Sequence, residues 1–219
     1  MNRIAVGILC GKGETAEALK VIQRVNSDSF VETVMPLFPA APVKCKGNYI
    51  FYPPADANRR GAARQQIVRI MAQLKDVDYV VILDDDTLPD SGYFKALKKL
   101  DRSGVYKPIL FTGKLRNADG TRSWDVCSFQ QGRPVVVPYE FYEHPKFYGD
   151  LYFSGPQHIF NQRGLFLARE VGYPDLSYGE DAEFCRRFRS AGGILQFLPE
   201  LSAQLLHQHN PPNEVFMWS

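Results

Sequence analysis

Long apolar runs, paired cysteines and a targeting leader are all missing from this sequence. No apolar run approaches the roughly 18 residues of a membrane-spanning helix, and no basic and apolar leader precedes the first predicted strand. The 4 cysteines form no CxxC pair, which argues against a zinc ribbon and against a dense disulfide framework. We therefore expect a cytoplasmic protein with reduced cysteines and no transmembrane segment.

An excess of charge of one sign is missing too. The 26 basic and 24 acidic residues leave a formal net charge of +2, and no Lys/Arg cluster follows a helix face, so no nucleic-acid partner is expected. The absence of internal repeats sets repeat architectures aside. With 219 residues, of which 45% are hydrophobic, the chain is long enough for one large core. The prediction is a single domain over 1–219.

The stretch from Tyr79 to Asp90 carries the strongest functional signal. Its apolar run, Val80 to Leu83, fits a strand buried on both faces of a parallel sheet. Asp84, Asp85 and Asp86 follow at once, and three like charges at the end of a buried strand indicate a bound cation. If the backbone stays extended, the first and third carboxylates point to the same side, which suits Mg²⁺ or Mn²⁺. The alternative is that one carboxylate caps the next segment while the others are solvated.

Strands and helices alternate in the first half of the sequence. Strands are predicted over 4–9, 31–38, 49–52 and 80–83, and helices over 15–25 and 60–74. This alternation predicts a parallel, doubly wound sheet. We assign residues 1–105 to a nucleotide-binding half of the domain.

The second half of the sequence has a different pattern, in which residues typical of turns separate short predicted strands. A helix is predicted near 91–100, strands over 109–115, 124–129 and 135–141, helices over 162–171 and 180–191, and apolar segments over 195–198 and 201–209. This half, 106–219, is predicted to be antiparallel or mixed and to supply the acceptor and catalytic groups.

Glycines follow the first predicted strand in a partial nucleotide-binding pattern. Gly11 to Ala16 matches the spacing of the dinucleotide fingerprint, but the acid expected at the end of the second strand is missing. We interpret Gly11 as part of a tight turn, placed near the base or ribose of a ligand.

Two further groups of residues are open to a functional or a structural interpretation. Glu180 and Asp181 begin a predicted helix, where they either complement the helix dipole or supply a general base. His207 and His209 share one face of a strand-like segment and are candidate metal ligands.

Four motifs, taken in order along the chain, resemble those of the GT-A fold glycosyltransferases, in particular family 2. Asn58, Gly61 and Arg64 match an Asn-x-x-Gly-x-x-Arg segment, Asp84 to Asp86 occupy the DxD position, Gly179 to Asp181 resemble the ED motif, and His207 matches a metal-binding histidine. The run Asp84 to Thr87 is also similar to the DxDxT signature of haloacid dehalogenase-type phosphotransferases, with Thr87 one residue early.

The glycosyltransferase resemblance implies a GT-A-like, Rossmann-type sheet that is mixed but mainly parallel, flanked by helices. It implies a hexosyltransferase-type enzyme that moves a sugar from a nucleotide diphosphate sugar, with a UDP-sugar favoured. The acceptor would be a hydroxyl of a glycan or of a lipid-linked or protein-linked group. The alternatives are a haloacid dehalogenase-like phosphotransferase and a non-catalytic module that binds a nucleotide sugar.

The same resemblance implies roles for individual residues. Asp86, with Asp84 and His207, would hold Mn²⁺ or Mg²⁺, and Asp181 would be the base of an inverting reaction, with Glu180 the next candidate. The donor-binding residues would be Arg64, Asp84, Asp85, Gly11 and Gly155. Trp124, Tyr152 and Phe153 are candidates to stack on a sugar ring or base.

Overall fold

The computed structural model describes residues 2–10, 16–37, 60–100, 106–130, 133–143, 150–176 and 179–207. Its strands are β1 (Ile4–Leu9), β2 (Val31–Leu37), β3 (Tyr79–Asp84), β4 (Thr87–Pro89), β5 (Ile109–Thr112), β6 (Leu115–Arg116), β7 (Val126–Gln130), β8 (Arg133–Val136), β9 (Leu151–Phe153), β10 (Gln157–Asn161), β11 (Ile194–Phe197) and β12 (Ala203–Leu205). The helices are α1 (Ala16–Ser27), α2 (Arg60–Met71), α3 (Tyr93–Lys98), α4 (Gln162–Val171) and α5 (Glu180–Ser190). A 3₁₀ turn spans Tyr139–Phe141.

A six-stranded sheet in the order β11-β5-β10-β3-β1-β2 forms the centre of the domain. β1 pairs in parallel with β2 and β3, and β11 pairs in parallel with β5. β10 alone runs antiparallel to its neighbours β3 and β5. The prediction of an α/β domain with a mixed, mainly parallel sheet is confirmed, and strands from both halves of the sequence contribute to this one sheet.

The central strands are apolar on both sides because both faces of the sheet are covered. One face packs against α2, α4 and α5 and against a small sheet of the order β8-β7-β9. The other face packs against α1 and α3 and against a second small sheet, β4-β12-β6. The two small sheets lie on opposite faces of the large one.

β10 was missed in the sequence because its segment, QHIFN, begins and ends with polar residues. All of it is buried, and each polar side chain has a partner inside the protein. Gln157 accepts a hydrogen bond from the Tyr93 hydroxyl at 3.0 Å, and Asn161 caps α4 by accepting from the N–H of Gly164 at 2.7 Å. Sequence periodicity does not detect such a strand, because its burial depends on partners far along the chain.

Other element predictions were partly right. The strand over 4–9 and the helix over 162–171 are confirmed residue for residue. The strand expected over 109–115 is in fact two strands, β5 and β6, which belong to different sheets. The strand predicted over 49–52 lies outside the described residues. The division of the domain at residue 105 stays a prediction. Within the described part of the chain, no helix is long and apolar enough to cross a membrane.

Gly61 allows α2 to pack directly against the segment before α5. A Cβ at this position would overlap the carbonyl oxygen of Pro174 and lie 2.9 Å from its carbonyl carbon. The Gly61 N–H donates to the carbonyl of Leu176 at 3.2 Å, so the two backbones cannot easily separate. This contact explains why position 61 of this chain favours glycine.

We expect Gly61→Ala to lower the free energy of unfolding by about 1–3 kcal/mol, the usual cost of overpacking. Urea unfolding of the variant measures the loss. Arg69→Ala, at an exposed position of the same helix, is the control and should change stability little. An unchanged midpoint for Gly61→Ala would show that α2 moves away without cost.

Candidate active site

The end of β3 lies at the carboxyl edge of the central sheet, beside the ends of β1 and β2. Leu9 pairs with Asp84 on one side and with Leu37 on the other, so the three strands end level. Asp84, Asp85 and Asp86 are each half-buried at this edge. Ligands of open α/β sheets bind at the carboxyl ends of the strands, which makes this edge the candidate site.

The three aspartates do not continue the strand. β3 ends at Asp84, and residues 85–86 form a turn before β4 begins at Thr87. The expectation that Asp84 and Asp86 point to one side held only for an extended backbone, and the turn means that this condition is not met. Asp84 is directed instead toward Arg64 of α2.

Arg64 is a buried cation that contacts both acidic groups of the sequence. Its Nη1 and Nη2 donate to the two carboxylate oxygens of Asp84 at 2.8 and 3.1 Å, and its Nε donates to Oε1 of Glu180 at 3.4 Å. Burial lowers the pKa of Arg64, but the two carboxylates outweigh burial, so its pKa lies above the usual value. The guanidinium therefore stays charged and balances part of the acidic cluster.

The start of α5 brings Glu180 and Asp181 to the same place. Gly179 precedes the helix with a φ of 72°, in the left-handed region that favours glycine. Glu180 is buried, and burial raises the pKa of its carboxyl against the opposing charge of Arg64. Because Glu180 contacts Arg64, it is less available than Asp181 to a ligand.

Asp181 is held by two backbone groups. Its Oδ1 accepts from the N–H of Ala182 at 2.8 Å and its Oδ2 accepts from the N–H of Gly155 at 3.0 Å. Burial raises the pKa of Asp181 above its usual value, although the charge of Arg64 and these two N–H groups oppose the shift. A carboxylate that is held in place and has a raised pKa is suited to accept a proton.

Gly155 connects the two acidic groups sterically. A Cβ at this position would overlap Nη2 of Arg64 and lie 2.7 Å from its Cζ. The resemblance implied that Gly155 is one of the donor-binding residues. In the structure, its missing side chain makes room for Arg64, while its N–H binds Asp181.

His207 lies beside the turn formed by Asp85 and Asp86, here called the acidic turn, because β12 pairs with β4. Leu205 pairs with Thr87, and the N–H of Leu206 donates to the carbonyl of Asp86 at 2.8 Å. His207 is the next residue and is exposed. The fold therefore brings together Asp86 and Leu206, which are 120 positions apart in the chain. Gly11, Asn58 and His209 lie outside the described residues.

The aromatic residues proposed to stack on a ligand are mostly in the core. Phe153 is fully buried, and Tyr152 is buried and stacks on Phe129 with ring centroids 5.3 Å apart. Trp124 is half-buried and packs against the same core. Tyr152 and Phe153 therefore contribute to packing, and a role for them as sugar platforms is wrong.

His158 is a buried histidine that the sequence did not single out, and it lies close enough to Arg64 to be affected by its charge. His158 contacts the Tyr173 hydroxyl through Nδ1, and its Nε2 donates to the carbonyl of Phe153 at 3.1 Å. Burial and the charge of Arg64 lower the pKa of His158 to about 3, so the ring is neutral at physiological pH. Its two ring nitrogens therefore satisfy the Tyr173 hydroxyl and the Phe153 carbonyl.

The turn at 85–86 and His207 carry side chains of types that bind divalent cations. Among the residues that the structure describes, no group of three or more His, Cys, Asp or Glu side chains is arranged to hold a metal ion. Mg²⁺ and Mn²⁺ are commonly bound by one or two protein ligands together with substrate phosphates and water. Asp86 and His207 supply a carboxylate and an imidazole of the required kinds, while Asp84 uses both of its oxygens on Arg64.

The fold belongs to a known class. A scan of the sequence against protein-family models finds no match, and a sequence search of the curated proteins finds none either. Comparison of structures does find chains of similar fold, and the two below are glycosyltransferases of the GT-A type. The predicted GT-A fold is confirmed by them.

GalNAc-T7, in a crystal structure with UDP, GalNAc and Mn²⁺, aligns with a TM-score of 0.63 and 11% sequence identity over 96% of this chain. The first 349 residues of TarS from S. aureus align with a TM-score of 0.61 and 11% identity over 93% of this chain. The chain spans 45% of the first protein and 60% of the second. At this identity the likeness establishes the fold.

Proposed function

We propose that this protein is a metal-dependent glycosyltransferase that moves a sugar from a nucleotide diphosphate donor, with a UDP-sugar favoured, to a hydroxyl acceptor. Two acidic clusters lie on either side of Arg64: Asp84 to Asp86, and Glu180 with Asp181. The observation that carries the proposal is that Arg64 bonds to one member of each cluster, Asp84 and Glu180. They meet at the carboxyl edge of a GT-A sheet. The likeness to a protein crystallised with UDP and Mn²⁺ supports the choice of donor and metal.

In the proposed mechanism the two carboxylate groups have different tasks. Asp86 and His207 would hold Mn²⁺ or Mg²⁺, which neutralises charge on the departing diphosphate when bound. Asp85 would contact the donor, as the resemblance implies. Asp181 would take the proton of the acceptor hydroxyl while that oxygen bonds to the anomeric carbon and the bond from that carbon to the diphosphate breaks.

The stereochemical outcome would depend on where the base lies relative to the bound donor. If Asp181 activates the acceptor on the face opposite the leaving diphosphate, the configuration at the anomeric carbon inverts. NMR of the product distinguishes inversion from retention. We propose inversion because Asp181 is held by Gly155 and Ala182 in a geometry suited to a base, with no covalent step required of it.

The direct test is incubation of the protein with a panel of nucleotide sugars, Mn²⁺ and hydroxyl acceptors, with release of nucleoside diphosphate as the readout. Acceptor-dependent release supports the proposal. Donor binding without release would favour a non-catalytic binding module. Detection of an aspartyl-phosphate intermediate would favour the phosphotransferase. Asp84 is poorly suited to be the nucleophile of that reaction, because both of its carboxylate oxygens accept hydrogen bonds from Arg64.

His207→Ala should raise the Mn²⁺ concentration that gives half-maximal activity by about 10-fold or more, the scale seen when metal-site residues are changed. The reason is its position directly after Leu206, which is hydrogen-bonded to Asp86. His209→Ala is the matched comparison and should have the smaller effect. The reverse order would transfer the ligand role to His209.

A further inference from the structure

Arg64 lies between the two acidic groups and contacts both. We propose that Arg64 is a positioning residue: it fixes the start of α5, and with it Asp181, relative to the end of β3, where the donor would bind. The inference rests on the proposed function, because the distance it controls is the distance between donor and base. It differs from the donor-binding role that the resemblance suggested for Arg64.

The contacts explain why Arg64 would act through other residues. Its side chain is 3% exposed, against 23% for Asp84 and 5% for Glu180, so little of it can reach a ligand. The fork of Nη1 and Nη2 on Asp84 fixes the plane of the guanidinium, and Nε then points to Glu180. A planar group held at three nitrogens defines both a distance and an angle between the two carboxylates.

Two connections link the position of Arg64 to Asp181. Glu180 is the residue before Asp181 in the first turn of α5, so the ion pair holds the helix start. Gly155 packs against the guanidinium of Arg64 at the position where a side chain would begin, and its N–H donates to Oδ2 of Asp181. A shift of the guanidinium therefore disturbs the backbone group that orients the base.

Lysine would not replace arginine in this role. A lysine ammonium is a point charge on a flexible stem, whereas the guanidinium is a rigid fork that matches a carboxylate at two points. Arg64→Lys keeps the positive charge but cannot contact both oxygens of Asp84 and Glu180 in the same geometry. Charge balance and positioning are thus separable by mutation.

The experiment compares three variants by thermal unfolding and by kcat and KM. We expect Arg64→Lys to stay folded and to lose about 100-fold in kcat, the scale of a misplacement of about 1 Å, with a smaller change in donor KM. Arg64→Met should lower the unfolding midpoint by about 10 °C, because the half-buried Asp84 and the buried Glu180 would both lose their cation. The triple variant Arg64→Met/Asp84→Asn/Glu180→Gln should recover the midpoint without recovering kcat.

Gln65→Leu is the matched control. Gln65 is the next residue of α2, is buried, and bonds to the carbonyl of Arg169 and the N–H of Tyr173, so its loss should lower the midpoint and leave kcat of the folded protein unchanged. Near-wild-type kcat in Arg64→Lys or in the triple variant would overturn the proposal, because Arg64 would then only balance charge.

A second measurement is independent of catalysis. Asp84 and Glu180 both bind Arg64, so the effects of Asp84→Asn and Glu180→Gln on the unfolding midpoint should be non-additive in the wild-type background and additive in the Arg64→Met background. Additivity in both backgrounds would overturn the linkage. If the wild-type protein transfers no sugar, the proposed function fails, yet this cycle still tests whether Arg64 couples the two groups.

Discussion

Replacing Asp181 with asparagine should lower turnover by about 10²- to 10⁴-fold, the usual contribution of a general base, with donor and metal affinity nearly unchanged. A base acts on the acceptor proton in the transition state, so its loss affects kcat and not donor binding. The asparagine oxygen can still accept one of the two backbone hydrogen bonds, from Gly155 or Ala182, so the fold should survive. Rates of nucleotide release together with calorimetry of UDP binding measure both quantities.

Glu183→Gln is the control for this substitution. Glu183 lies in the same helical turn, but it binds Arg186 and Arg187 at the surface, so turnover should not change. Near-wild-type turnover in Asp181→Asn would leave Asp181 as a structural residue of the helix start. Loss of donor binding along with turnover would instead assign Asp181 to the donor site.

The pH dependence of turnover gives a separate check on Asp181. A base must be deprotonated to act, so wild-type turnover should rise with pH through the pKa of Asp181 and then level off. Burial places that pKa above the usual 3.8 of aspartate, so the rise should occur at higher pH than for a free carboxylate. The Asp181→Asn variant should lack this rise.

Asp86→Asn should abolish most of the metal dependence of donor binding. Substituting a residue that hydrogen-bonds to a metal ligand typically lowers metal affinity by about 10- to 100-fold. Removing a ligand itself should therefore lower metal affinity by at least about 100-fold. Asparagine keeps the size of the side chain and removes its charge, which separates metal binding from packing. Calorimetry of UDP binding, with Mn²⁺ and with a chelator, measures the effect.

Asp90→Asn is the matched control for this experiment. Asp90 follows β4, close to Asp86 in the chain, and pairs with Arg116 at 2.6 Å on the surface. Its loss should leave the metal dependence intact. Equal affinity for UDP with Mn²⁺ and with a chelator in the wild-type protein would contradict a metal role for Asp86.

The strands and helices with continuous apolar patterns were predictable from sequence. β1 and β3 appear where the pattern placed them, because a run of apolar residues is buried where both faces of the sheet are covered. The helix α4 also appears at the position that its helical pattern predicted. β10 was not predictable in this way. Its buried polar side chains are satisfied by Tyr93, Tyr173 and the first turn of α4, and those partners are in place only in the folded chain.

The candidate site shows the same division. The sequence identified Asp84 to Asp86 and Glu180 with Asp181 as acidic groups, and the expected ligand class for each follows from carboxylate chemistry. The turn at 85–86 was not predicted, because the sequence does not show whether the backbone stays extended after Asp84. The buried state of Tyr152 and Phe153 was not visible either, since aromatic residues occur both in cores and in sugar sites.

By itself, the sequence determined the class of fold, the acidic residues of the site and the order of the motifs, since these depend on residue type and local spacing. Only the tertiary structure decided which groups meet. Arg64 reaches Asp84 across 20 residues and Glu180 across 116, and Gly155 fits between Arg64 and Asp181 because it has no side chain. Contacts of this kind depend on the packing of α2, β3 and α5 against one another, and local pattern carries no information about that packing.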